Sequence, residues 1–83
     1  MKYKYTAKRN YEFGNMLTRK RESVGLTQEE LGMLLKKPKA YAAKHVSWWE
    51  TGVHCPNLRT FKEIVEVLGC TSDEVLEMLK ALG

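Results

Sequence analysis

The chain lacks alternating runs of β-branched residues and contains no Asn-Gly turn, so neither a sheet nor a tight hairpin is encoded. No apolar run approaches the ~20 residues of a membrane span. The opening MKYKYTAKR has no apolar segment of the secretory kind. Cys55 and Cys70 are too few for a disulfide framework, and with no sign of export both read as thiols. His45 and His54 could join them as zinc ligands, but the spacing matches no paired-ligand pattern. No metal and no other cofactor is therefore expected. Repeats and low-complexity stretches are absent. At 83 residues there is material for one core and not for two, so a single soluble, cytoplasmic domain is expected.

Charge is present in excess and unevenly placed. Residues 1–48 hold eleven Lys or Arg against four Glu, a balance of +7, and residues 49–83 hold three against six Asp or Glu, a balance of −3. Such a division suits a polyanion on one side and solvent or a partner on the other. Basic solvated faces are as common, so charge alone does not decide for nucleic acid. The basic segment 1–10, with Lys2, Lys4, Lys8 and Arg9, is either an arm that folds onto a polyanion or a solvated terminus ahead of a domain at 11–83.

Helical spacing recurs five times. From about Asn10 to Ser23, Phe13, Leu17 and Val24 fall on one face, and Gly25 is a natural stop. TQEE, from Thr27 to Glu30, is a capping box, and Leu31 and Leu35 form the stripe behind it. In KKPKAYAAKHVSWWETG, Pro38 suits the first turn of a helix. Tyr41, Ala42, His45, Val46 and Trp49 then recur at three and four residues, and Gly52 closes the segment. A fourth helix starts after Pro56 with Asn57 as N-cap and turns Leu58, Phe61, Ile64, Val65 and Leu68 inward, up to Gly69. A fifth opens on a second capping box, TSDE, and carries Val75, Leu76, Met78, Leu79 and Leu82. Val75 and Leu79 can face inward there. The surplus, Met78 and Leu82, is then either a two-fold dimer face or further cover for a small core. The fold class is all-α.

These residues resemble a known family. FGNMLTRKRESVGLTQEELG is similar to the first helix, turn and second helix of Cro and phage-repressor type (XRE-like) helix-turn-helix domains. VSWWETG resembles the end of their recognition helix, and CPNLRTFKEIVEVLGCTSDEVL their fourth and fifth helices. The resemblance runs from about Phe13 to Leu76. It implies double-stranded DNA as partner, with no small-molecule substrate. It further implies that Gln28 binds a phosphate, that Arg21 and Glu50 form a salt bridge between the first and third helices, and that Ala43, Lys44, Ser47 and Trp48 face the major groove. Trp49 matches an inward position, and helix geometry agrees, because it shares a face with Ala42 and Val46. Trp48 is turned about 100° from Trp49 and shares its face with Lys44 and Ser47. It either touches DNA or covers a neighbouring helix.

Three departures bear on the site. The connection between helices 2 and 3, Lys36-Lys37-Pro38-Lys39-Ala40, is about four residues longer than the family's. It either lengthens the third helix at its start or forms a basic loop beside the DNA backbone. Ala42 occupies the usual hydroxyl N-cap, which favours the lengthened helix. Lys20 stands where an aliphatic residue is common, with a stem able to run along the core edge. Gly32 replaces a usual Ala, which permits a close approach of the third helix.

The function expected is a sequence-specific DNA-binding transcriptional regulator, a repressor reading the major groove with helix 3 (about 40–51). Lys36, Lys37 and Lys39 would hold phosphates. A homodimer would set two such helices about 34 Å apart over a near-palindromic operator. The competing reading is an interaction module of antitoxin or polymerase-associated kind, docking a protein through Trp48 and the basic turn. An enzyme is not expected: Cys55 beside His54 is the one suggestive pair, and adjacent loop residues seldom point at one another.

Overall fold

The computed structural model describes residues 11–83, so the basic arm at 1–10 lies outside the described residues. Among the described residues there are five helices and no strand: α1 (Tyr11–Ser23), α2 (Gln28–Leu34), α3 (Lys39–Glu50), α4 (Leu58–Leu68) and α5 (Ser72–Leu82). None of these helices is long and apolar enough to cross a membrane.

Local chemistry sets most of the boundaries. Thr27 accepts from the Glu30 amide while its own N–H donates to the Glu30 carboxylate at 2.8 Å, and Thr71 and Glu74 repeat the arrangement for α5. The Asn57 carboxamide oxygen accepts from the Thr60 amide at 2.8 Å and starts α4. Behind α1, Gly25 at φ 79° lets the Gly25 and Leu26 amides return to the Glu22 and Arg21 carbonyls.

The core is formed by Phe13 and Leu17 of α1, Leu31 and Leu35 around α2, Ala42, Val46 and Trp49 of α3, Phe61, Ile64 and Leu68 of α4, and Met78 of α5. Several residues depart from the sequence expectation. Val24 follows the last turn of α1, so the helical period no longer applies to it, and it is exposed. Leu58 is the first residue of α4, ahead of the inner stripe, and is 76% exposed. Tyr41 faces out. On α5, Met78 is buried while Leu76 and Leu79 are exposed, with Leu82 half-buried against the core. The exposed apolar pair is therefore Leu76 and Leu79, not Met78 and Leu82.

Lys20 resolves as an edge residue. Its stem is half-buried and its ammonium meets Glu74 at 3.0 Å, joining α1 to α5. The Thr71 amide and the Lys20 ammonium together hold the Glu74 carboxyl below its ordinary value. A depressed carboxylate adds stability above the ordinary carboxylate range and loses it as pH falls through the folded value. Glu74→Gln should therefore lower stability slightly at neutral pH, leave it little changed at the acid end, and so flatten the acid side of the stability–pH curve, as urea titrations at several pH values will show.

Candidate nucleic-acid interface

The site begins with what holds α3 from behind. Arg21 Nε donates to Glu50 Oε2 at 2.6 Å and Nη2 to Oε1 at 3.2 Å, a bidentate pair with both side chains nearly buried. The hydrogen bonds that Arg21 donates to Glu50, with the charge of that carboxylate, raise the guanidinium pKa despite burial. Arg21 Nη1 also donates to the Leu26 carbonyl at 2.8 Å, and Gln28 Nε2 donates to Glu50 Oε1 at 2.9 Å. One carboxylate thus fixes α1, the start of α2 and the end of α3 together.

Two glycines permit the close packing that this lock requires. A Cβ on Gly32 would overlap the Ala42 carbonyl, standing 2.6 Å from its carbon, and one on Gly14 would stand 2.7 Å from the Glu50 carbonyl carbon. Gly32 acts as the sequence suggested. Gly14 was missed, although a glycine inside a helix beside a core Phe signals a close approach.

The long connection becomes helix. α3 starts at Lys39 with Pro38 as its N-cap, one residue before the position expected for that proline, and runs one turn further back than a start at Ala43 would give. Leu35, Lys36 and Lys37 close α2: the Lys36 amide reaches the Met33 carbonyl at 2.9 Å and the Lys37 amide reaches Gly32 at 3.0 Å. Lys36 takes the left-handed conformation, φ 64°, at the position where α1 has Gly25.

With 100° per residue, Ala42, Val46 and Trp49 turn inward and Lys44 falls opposite them. Its ammonium lies 5.7 Å from the Trp48 ring centroid and 6.0 Å from that of Tyr41. Trp48 is half-buried. The His54 ring, from the loop after α3, meets it edge-on at 4.9 Å, and His45 meets it edge-on at 5.5 Å. Ala43 and Ser47 are half-buried on the flank that also carries Glu50, at successive positions of one helical row. Trp49 is core, with Lys37 Nζ 6.0 Å over its ring.

The expected residues are therefore brought together unequally. Lys44, Trp48, Ala43 and Ser47 share the outer part of α3, and Lys36 and Lys39 are exposed near its start. Lys37 is half-buried against Trp49, and the Gln28 amide group is engaged by Glu50. Tyr41 and His54 belong to this surface as well, though the sequence pattern places Tyr41 on the row of Ala42 and Val46 and His54 only beside the cysteines. Glu50 is the only acid in α3 and is neutralised inside, so the helix presents no exposed carboxylate. Among the described residues, no group of three His, Cys, Asp or Glu could hold a metal ion.

Two packed helices joined by a short connection, the second carrying cations on its outer side, define the helix-turn-helix class of DNA-binding domain. The family model for helix-turn-helix proteins of the Cro/C1 type matches residues 17–75, and the chain belongs to that family of DNA-binding regulators. Neither a curated protein nor a solved structure matches the chain.

Proposed function

We propose that this domain is a sequence-specific transcriptional repressor that lays α3 in the major groove and occludes a promoter. The observation that carries this reading is the outer side of α3, where Lys44 stands between two aromatic rings with no exposed acid on the helix. Lys44 suits guanine O6 and N7, Ser47 either base type, and Ala43 and the Trp48 ring a thymine methyl group. Lys36 and Lys39 suit the flanking phosphates, with a smaller part for Lys37. Gln28 can reach a phosphate only while still bonded to Glu50 or by leaving it. The half-covered state of Trp48 supports this reading over a protein interface centred on an exposed indole. A cytoplasmic location, with access to DNA, is part of the same proposal.

Salt provides the test. Duplex affinity should fall with a slope of about −0.9 per phosphate neutralised in a plot of log K against log salt. Lys36→Ala and Lys39→Ala should each reduce that slope by about 1 without changing sequence preference. Binding insensitive to salt would refute the DNA reading and favour a protein partner.

Lys36 allows a sharper check. A lysine at φ 64° costs about 1 kcal/mol relative to glycine in left-handed backbone. Lys36→Gly should therefore raise stability by up to about 1 kcal/mol while weakening DNA binding. Opposite signs in urea unfolding and in fluorescence anisotropy are the expected pair of results.

The exposed pair Leu76 and Leu79 supports a two-fold dimer across α5. Such a dimer would set two recognition helices about 34 Å apart on a near-palindromic site. Light scattering should give twice the chain mass for the wild type and the chain mass for Leu79→Glu. A wild-type monomer at high concentration would remove the dimer.

A further inference from the structure

Tyr41 departs from the sequence pattern in a way that bears on the outer side of α3. The recurrence of Tyr41 with Ala42 and His45 points it inward, yet 54% of it is exposed. The lengthened α3 is the cause. Because the helix starts at Lys39, Tyr41 is its third residue and lies seven before Trp48. Seven residues span about 10.5 Å and fall about 20° short of two full turns, so the two rings align along the outer side. Lys44 lies between them, its ammonium 6.0 Å from one ring centroid and 5.7 Å from the other.

We propose that Tyr41 is a specificity-determining residue, whose ring reads the 5-methyl group of a thymine about three base pairs from the pair that faces Trp48. The inference rests on the reading that α3 enters the major groove. The separation follows from matching about 10.5 Å of helix to the rise of 3.4 Å per base. The target follows from chemistry: the thymine methyl is the apolar feature that base edges present in that groove, and an exposed ring is an apolar reader. The lysine between the rings keeps the ammonium centred on the intervening base pairs. The same device makes the extra turn of α3 part of the reading surface.

Selection of bound sequences from random duplex DNA, by the wild type and by Tyr41→Ala, tests this. Affinities are then measured on the selected duplex and on the same duplex with uracil at the assigned thymine. The wild type should enrich a motif in which Tyr41→Ala flattens a thymine preference about three base pairs from the position flattened by Trp48→Ala. Replacing that thymine by uracil should weaken the wild type about fourfold, the effect of one buried methyl-sized group. The same replacement should leave Tyr41→Ala unaffected, and Tyr41→Phe should keep the preference. An unchanged motif for Tyr41→Ala would overturn the inference alone. So would an equal loss on all duplexes, which marks a phosphate contact, or a loss of the preference in Tyr41→Phe, which marks the hydroxyl. A wild type that enriches no motif would overturn the major-groove reading and this inference with it. The uracil measurement on the wild type needs no variant to fold.

Discussion

Glu50→Ala should destabilise the domain by about 3 kcal/mol, a large share of the whole, since small domains hold about 0.05–0.15 kcal/mol per residue. The carboxylate accepts from Arg21 twice and from Gln28 once, and its removal strands a nearly buried guanidinium and an amide group. Among the described residues no buried side-chain nitrogen or oxygen lacks a partner, so the variant would create a defect that the native fold does not contain. The loss comes from the uncompensated charge more than from the bond itself. Replacing both partners, as Arg21→Met with Glu50→Leu, should accordingly recover much of the stability that either single change removes. Urea unfolding of the two single variants and the double variant measures the coupling directly. DNA affinity should fall for Glu50→Ala even under conditions where it remains folded, because the Glu50 carboxylate hydrogen-bonds α3 to both α1 and the start of α2.

Gly32→Ala should also destabilise by about 3 kcal/mol, at the upper end of overpacking costs. Helix propensity argues the other way, since alanine is favoured over glycine by about 1 kcal/mol inside a helix. The steric effect prevails because the obstacle is backbone: the new Cβ would stand 2.6 Å from the carbonyl carbon of Ala42, which cannot rotate aside as a side chain does. α3 would have to move off α2. Thermal unfolding should show a fall in Tm of about 15 °C for a domain of this size. Gly14→Ala should behave alike for the contact of α1 with the end of α3.

Legibility from sequence follows locality. The capping boxes at Thr27 and Thr71 and the stop at Gly25 involve residues within five of one another, and the structure has them as the sequence implies. The buried character of Trp49 was legible from its row with Ala42 and Val46. Rotation of a helix about its axis was not. On α5, Met78 and Leu79 lie at three and four residues from Val75, and either could turn inward. Packing against Cys70, whose thiol lies 4.0 Å from the Met78 sulfur, accompanies the choice of Met78, and no neighbour in sequence announces it. Tyr41 was misplaced for a related reason: the pattern alone does not show where α3 begins, and the extra turn decides which way an early residue faces. The covering of Trp48 by His54 depends on a loop conformation that carries no periodic signal.

A titration of isotope-labelled protein with a selected duplex, followed through its amide and indole resonances, tests the central claim most directly. The largest changes should fall on α3 from Tyr41 to Ser47 and on the Trp48 indole N–H, with the Trp49 indole nearly still and α5 unaffected. Changes gathered on α4 and α5, with the Lys44 and Trp48 signals unmoved, would contradict the account.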